Sequence, residues 1–370
     1  MQTSTKPNRP RTREIGIQIG VLPTGELNGM TDVPGVKVGQ VTRISGEGPL
    51  SPGNGPIRTG VTAILPHDGN IFREKVTATA HIINAFGKSI GLPQLLELGN
   101  IETPILLTGT LNVWTAADAL VDYVSAQNPG VYSFNPIVGE CNDSFLNDIL
   151  GRHVQQEHVF EALETASHTN VEEGVVGAGV GMSGFGWKAG IGTASRVVQV
   201  DGTVYTTGVL VLTNTGAASD LRIDGFPVGE HLTPEDISEE RPGSIMIIVA
   251  TDAPLSHRQL TRVARRATFG LARTGAIASH GSGDFVIAFS TANRIGVSPP
   301  EGSLPTFHDE GALSLLFRAV IEATEESIIN SVLKSHTVVG RDDNVRHGIP
   351  IRRVFEILEL QLPEPFPWDE

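Results

Sequence analysis

The sequence predicts an α/β protein in which sheets are covered by outer helices. Short apolar runs rich in β-branched residues alternate with glycine turns, a pattern typical of buried strands. Two longer segments, 259–272 and 313–333, carry apolar residues at helical spacing. The chain has 370 residues, of which 39% are hydrophobic, so it can bury a sizeable core. We find no internal repeat, heptad seam or low-complexity linker and therefore expect one compact domain.

Strands and helices are expected to alternate along the chain. Segment 92–98 is predicted to be a short helix because its leucines recur at helical spacing and Gly99 ends it. The pattern at 84–89 also turns helical, whereas a turn-rich stretch at 45–57 and a polar stretch at 226–243 predict loops. The remaining strands are predicted over 17–21, 35–41, 60–66, 104–108, 137–139, 204–213, 244–250 and 285–289, and the remaining helices over 113–124 and 159–166.

The composition excludes several classes of function. A formal net charge of -14 argues against nucleic acid or an anionic membrane as a partner. No apolar run approaches the ~20 residues that a membrane helix needs. The single cysteine, Cys141, excludes an internal disulfide framework and a cysteine-rich metal site, and it fits a reducing compartment. Residues 1–13 are polar and basic without an apolar h-region, so we expect a disordered tail, no secretory signal and a soluble cytoplasmic protein.

Ser244 is the first residue of an expected buried strand and directly follows Gly243. Glycine leaves the backbone free to adopt dihedrals that other residues resist. A hydroxyl at this place can attack the preceding carbonyl and break the chain. Ser244 would then be a new N-terminus, with a hydroxyl nucleophile and a free α-amine as its base. One Gly-Ser step alone is more often a loop entering a core strand, so this hypothesis needs support from elsewhere in the chain.

The sequence contains no convincing motif for a dinucleotide site, a nucleophile elbow or a zinc pair. The match to G-x-G-x-x-G at 179–184 is followed by further glycines instead of a helix. It therefore favours close backbone packing or a substrate-lining loop over a dinucleotide site. No serine stands in G-x-S-x-G, and His153 and His158 do not have the spacing of an H-E-x-x-H zinc pair. We therefore predict no cofactor and no metal.

Four polar positions lie at expected strand ends or in glycine turns. Asn214 follows an apolar strand, and its amide can donate to an oxyanion. Ser282 and Asp284 precede a strand and can hydrogen-bond the amine and hydroxyl of Ser244. Glu140 ends a strand and can bind a substrate ammonium group. Taken singly, each is more typical of an ordinary turn or surface residue, so the residues alone favour that interpretation over a catalytic one.

Several stretches form a combined pattern in one order over nearly the whole chain. Among them are NGMTDVPGVKVG at 28–39, GECND at 139–143 and KAGIGTASR at 188–196. Together they resemble the DmpA/BapA family of L-aminopeptidase D-Ala-esterase/amidases and β-peptidyl aminopeptidases. The other stretches that carry the resemblance are 60–64, 146–148, 221–229, 243–245, 250–255, 272–275 and 340–342.

The resemblance implies a precursor that cleaves itself between Gly243 and Ser244. Residues 14–370 would form a single catalytic domain, processed into an α chain (1–243) and a β chain (244–370). The implied fold is a four-layer αββα sandwich, similar to that of the N-terminal-nucleophile hydrolases but with different connectivity, and the implied assembly is a homotetramer. The implied activity is a serine aminopeptidase that releases N-terminal L-, D- or β-amino acids from small peptides, amides or esters.

Site residues follow from the same resemblance. Ser244 matches the family nucleophile, and Asn214 matches the oxyanion-hole asparagine. Ser282 and Asp284 match the serine and the acidic residue beside the nucleophile. Glu140 matches the carboxylate that grips the substrate's free amine.

The chain also departs from the family pattern. Asn142 stands where many members have a tyrosine at the active site, and many carry Asn and His in the segment that here reads Thr108 to Leu111. These departures are expected to reshape the pocket rim, with Asn142 lining it, more than the nucleophile. Two further functions stay open: an amide hydrolase that acts within oligomers, like the nylon-oligomer hydrolases, and a catalytically inactive self-cleaved scaffold.

Overall fold

Two β-sheets form the centre of the protein. The computed structural model describes residues 8–234, 243–296 and 305–369. Its strands are β1 (Lys37–Ser45), β2 (Ile57–Leu65), β3 (Glu74–Ala85), β4 (Asn100–Ile101), β5 (Ile105–Gly109), β6 (Ile137–Cys141), β7 (Ser183–Gly184), β8 (Trp187–Lys188), β9 (Ile191–Val200), β10 (Thr203–Asn214), β11 (Ser244–Thr251), β12 (Gly283–Gly296), β13 (Val338–Val339) and β14 (Val345–Arg346). The small sheet has the order β1-β2-β5-β6 and the large sheet the order β4-β3-β12-β11-β10-β9.

Helices cover the outer face of each sheet. They are α1 (Leu92–Glu97), α2 (Val113–Gln127), α3 (Gln156–Glu164), α4 (His257–Arg273), α5 (Leu313–Leu333) and α6 (Ile351–Ile357). One apolar core joins α2 and α3 to the small sheet, a second joins α4 and α5 to the large sheet, and a third lies between the sheets. The predicted four-layer αββα sandwich is confirmed. Within the described ranges, no helix is long and apolar enough to cross a bilayer.

Strand β11 shows why the sequence around Ser244 is continuously apolar. All of its residues are buried, because it is an inner strand with layers on both faces. Ile245, Ile247 and Val249 face the helices, whereas Met246 and Ile248 face the small sheet.

Two long strands of the large sheet escaped prediction. The helical pattern predicted at 84–89 is wrong throughout, since β3 continues to Ala85 and residues 86–89 form a loop before α1. The lysine and two threonines of β3 hide the alternation expected of a strand. Strand β9 begins in the glycine-rich stretch 174–196, where a Cβ on Gly192 would be only 1.9 Å from the carbonyl oxygen of Ser327 on α5. The glycines there serve close backbone packing, one of the two interpretations offered above.

The N-terminal segment from Asn8 onward is packed, so the prediction of a disordered tail is wrong for residues 8–13. Arg9 is buried, and its guanidinium donates to the carbonyls of Leu333 at 2.9 Å and Ile349 at 2.6 Å. Leu333 ends α5, where carbonyls lack partners within the helix, so a guanidinium with five N–H donors fits well. The apolar run at 17–21, predicted as a strand, forms a loop instead. Residues 1–7 lie outside the described part of the chain.

Candidate active site

Strand pairing brings three distant polar segments to one edge of the large sheet. Strand β10 ends at Asn214, and Asn214 lies opposite Ser244 in the antiparallel pairing with β11. Ser244 in turn lies beside Gly283 in the parallel pairing with β12. The predicted residues Asn214, Ser244, Ser282 and Asp284 are therefore neighbours in the fold.

Ser244 is only 7% exposed, and its Oγ accepts a hydrogen bond from the Gly283 N–H at 3.3 Å. Because side chains alternate along a strand, its hydroxyl lies on the face that carries Met246, toward the small sheet. The Asn214 side chain lies on the same face, since directly opposed residues of an antiparallel pair share a face.

Gly243 is pressed against the end of β10. A Cβ at this position would be 2.4 Å from the carbonyl oxygen of Asn214 and 2.6 Å from the Cα of Thr215. Both are backbone atoms that cannot rotate away. Only glycine therefore fits at the residue before Ser244.

Ser282 and Asp284 form a buried pair beside the start of β11. The Ser282 hydroxyl donates to Oδ1 of Asp284 at 2.6 Å, and both residues are fully buried. Burial raises the pKa of Asp284 to about 6, whereas the Ser282 hydroxyl and the backbone N–H of Ile245 lower it. Alternation places the Asp284 side chain on the helix-facing side with Ile245. Its carboxyl group thus lies next to the backbone of β11, on the opposite face from the Ser244 hydroxyl.

The orientation of the Asn214 amide is fixed by its partners. Its Oδ1 accepts from the backbone N–H of Ser183 at 2.8 Å, and its Nδ2 donates to the carbonyl of Asn142 at 3.1 Å. A backbone N–H can only donate and a carbonyl can only accept, so the amide cannot be flipped. Asn142 itself is exposed, and its side chain accepts from the Ser144 N–H at 2.9 Å.

Glu140 lies on the small sheet, facing this edge. It is 2% exposed; Oε1 accepts from the Lys88 backbone N–H at 2.8 Å, and Oε2 accepts from the Thr110 hydroxyl. A Cβ on Gly87 would lie 2.5 Å from the Phe285 ring and 3.1 Å from Glu140 Oε1. The loop that contains Gly87 is therefore packed between Glu140 and β12.

The charge of Glu140 has no cationic partner among the described residues. Its two donors are neutral, and the Lys88 ammonium lies over the Phe86 ring, 4.8 Å from the centroid. Buried Glu322 and Glu326, in contrast, both pair with Arg196. A buried carboxylate without a counter-ion attracts a cation, and an ammonium group is of suitable size.

Sequence reasoning missed Thr110 and the buried carboxyl of Asp143. Asp143 accepts from the Thr59 hydroxyl at 2.6 Å, and burial raises its pKa to about 6. Both residues follow the carboxyl ends of the parallel strands β5 and β6, which meet at one edge. That position, together with the GECND motif, was the available signal.

This arrangement contains the parts needed for acyl transfer. A buried hydroxyl lies beside an amide donor, and a carboxyl group lies next to the backbone of β11. The carboxylate that faces them has no cationic partner in the part of the chain that the structure describes. The candidate groups come from both sheets.

Known proteins resemble this chain in sequence and in architecture. The model of Peptidase family S58 matches residues 28–346. The β-peptidyl aminopeptidase BapA of Sphingosinicella microcystinivorans is 42% identical over 369 residues, which cover 95% of this chain and 92% of that protein. The crystal structure of the PH0078 protein from Pyrococcus horikoshii OT3 has a TM-score of 0.89 and 52% identity, covering 95% of this chain and 99% of that one.

A further solved structure connects the fold to an activity. The L-aminopeptidase D-Ala-esterase/amidase from Ochrobactrum anthropi, described as a prototype serine aminopeptidase and a new variant of the Ntn hydrolase fold, has a TM-score of 0.88 and 35% identity. The match covers 95% of this chain and 98% of the Ochrobactrum chain. The family model matches most of the chain, and the relatives named above are similar over nearly its whole length. The chain therefore belongs to peptidase family S58 and is a serine aminopeptidase.

Proposed function

We propose that the chain cleaves itself between Gly243 and Ser244, and that Ser244 is then the nucleophile of an exopeptidase for small amine-bearing substrates. The observation that carries this proposal is the register that aligns Asn214, Ser244 and Gly283 on three adjacent strands. A loop entering a core strand does not require an amide, a buried Ser–Asp pair and, on the facing sheet, a buried carboxylate that lacks a cationic partner among the described residues.

Maturation would begin with attack of Ser244 Oγ on the carbonyl carbon of Gly243. The C–N bond breaks, the nitrogen takes a proton, and an ester links Gly243 to the serine oxygen. Water then hydrolyses this ester, leaving a carboxylate on Gly243 and a free hydroxyl and α-amine on Ser244. The contact of Gly243 with the Asn214 backbone supports this step, because it limits the positions that the scissile carbonyl can adopt.

In the mature protein, the α-amine of Ser244 would accept the proton of its own hydroxyl. A terminal amine has a reference pKa of about 7.7–8.0, so part of it is unprotonated near neutral pH. Asp284 suits the task of holding this amine because its carboxyl lies beside the β11 backbone. The Ser282 hydroxyl keeps that carboxyl in place.

Acyl transfer follows at the substrate carbonyl. Ser244 Oγ adds to the carbonyl carbon, the amide of Asn214 donates to the developing oxyanion, and the α-amine passes its proton to the leaving group. Water then hydrolyses the acyl-serine ester and regenerates the hydroxyl.

Glu140 would bind the free ammonium group of the substrate, which limits the enzyme to N-terminal residues. The buried negative charge without a cationic partner among the described residues supports this role. The relatives' names include β-peptidyl aminopeptidase and L-aminopeptidase D-Ala-esterase/amidase, so we propose small α- and β-aminoacyl peptides, amides and esters as the substrate class, with Asn142 at the pocket rim.

Intact-mass spectrometry of wild type and Ser244→Ala tests the nucleophile. Two fragments divided at Gly243–Ser244 in wild type, and one chain in the variant, are expected. A single chain in both would refute self-cleavage. Glu140→Gln should lose activity on amino-acid amides, and unchanged activity would remove its role as the amine site.

The comparisons favour the aminopeptidase over an amide hydrolase that acts within oligomers or an inactive scaffold. Cleavage of N-acylated substrates as fast as of substrates with a free amine would reverse this preference.

On the family resemblance we also propose a homotetramer of cleaved units, which light scattering tests. The single cysteine supports a cytoplasmic location.

A further inference from the structure

We infer that Thr110 is a positioning residue for the amine-binding carboxylate, and thereby sets the preference for substrates with a free N-terminal amine. This inference rests on the proposed role of Glu140. Thr110 itself need not touch the reacting atoms.

The geometry of the two donors supports this role. The terminal torsion of a glutamate side chain is broad, so a carboxylate held at only one oxygen can rotate. In this site, the Lys88 N–H binds Oε1 and the Thr110 hydroxyl binds Oε2. The carboxylate is therefore held at both oxygens, and less side-chain freedom is lost when a ligand binds.

Thr110 is the more rigid of the two donors. It is 3% exposed and directly follows β5, which is paired on both sides in the small sheet. Its branched side chain has few allowed rotamers. Lys88 is exposed and follows Gly87 in the loop after β3, so its N–H is held by a less packed segment.

The chemistry of the threonine also matters. A hydroxyl donates one hydrogen bond without carrying charge, so it orients Glu140 and leaves the negative charge available. An arginine or lysine at this place would occupy the carboxylate as its ion-pair partner, and a substrate ammonium would then have to compete. Thr110 orients the group without neutralising it.

Steady-state kinetics of Thr110→Val, Thr110→Ala and Thr110→Ser test the inference on two substrates. One is an aminoacyl p-nitroanilide, and the other is its des-amino analogue with the same acyl chain. The Val and Ala variants should raise KM for the amino substrate about tenfold, as expected for loss of one hydrogen bond to a charged group, with kcat little changed. Both should leave the des-amino substrate unchanged, and Thr110→Ser should restore KM.

Thr108→Val is the matched control, because Thr108 is also buried near the end of β5 but donates to the Gly60 carbonyl at 2.8 Å. Fragment masses and melting temperature report folding for every variant, and the Ala variant gives the same readout if Val fails to fold. The inference would be overturned if the Thr110 variants raised KM equally for both substrates. It would also be overturned if they left KM for the amino substrate unchanged while Glu140→Gln raised it. Either result would leave the proposed function standing. An unaltered KM in Glu140→Gln would instead remove the amine site and the inference with it.

Discussion

Replacing Gly243 with alanine tests whether contact with β10 fixes the proposed scissile bond. The added Cβ would be 2.4 Å from the Asn214 carbonyl oxygen and 2.6 Å from the Thr215 Cα. Optimal separation of non-bonded carbon atoms is about 3.5–4.0 Å, so the backbone must move by roughly 1 Å. Overpacking of this kind costs ~1–3 kcal/mol, and a 1 Å misplacement of reacting groups slows a reaction on the order of a hundredfold.

We therefore expect slow self-cleavage of Gly243→Ala together with a modest loss of stability in the uncleaved chain. Pulse-labelled protein, followed over time on denaturing gels and by intact mass, measures the cleavage rate. Gly29→Ala is the matched control, because its Cβ would meet no atom closer than 3.4 Å. A Gly243→Ala chain that cleaves as fast as wild type, with an unchanged melting temperature, would refute the steric reasoning.

Three further predictions concern the groups around Ser244. Asn214→Ala should lower kcat on the order of 10²–10³-fold through loss of an oxyanion donor, and normal turnover would exclude that role. Ser282→Ala removes a hydrogen bond that lowers the pKa of Asp284, so this carboxyl group should titrate at higher pH in NMR titrations of the uncleaved Ser244→Ala chain; an unmoved titration would contradict the link. Asp143 has a pKa of about 6 when folded against about 3.9 unfolded, so the folded state binds the extra proton and stability falls as pH rises from 4 to 6. In Asp143→Asn, the decrease in the free energy of unfolding between pH 4 and pH 6 should be smaller by on the order of 2–3 kcal/mol. Urea titrations at the two pH values measure it, and an unchanged pH dependence would refute the assignment.

The residues expected at strand ends were found there because polar side chains interrupt the apolar runs of Ile, Val and Leu. Asn214 and Ser244 are examples. Their juxtaposition was not predictable from the residues, since it depends on the pairing of strands far apart in the chain. The donors to Glu140 escaped prediction for a different reason. A backbone N–H, such as that of Lys88, has no signature in the sequence, and the only signal for Thr110 was its position directly after β5.

The central position of β11 affects the biosynthesis of the protein. Ser244 has its neighbours only when β10 pairs on one side and β12 on the other, and Gly283 of β12 is synthesised after Ser244. Under the proposed mechanism, a nascent or misfolded chain lacks this alignment and stays in one piece. The ratio of cut to uncut polypeptide in cells would then report the yield of correct folding, without a separate assay for it.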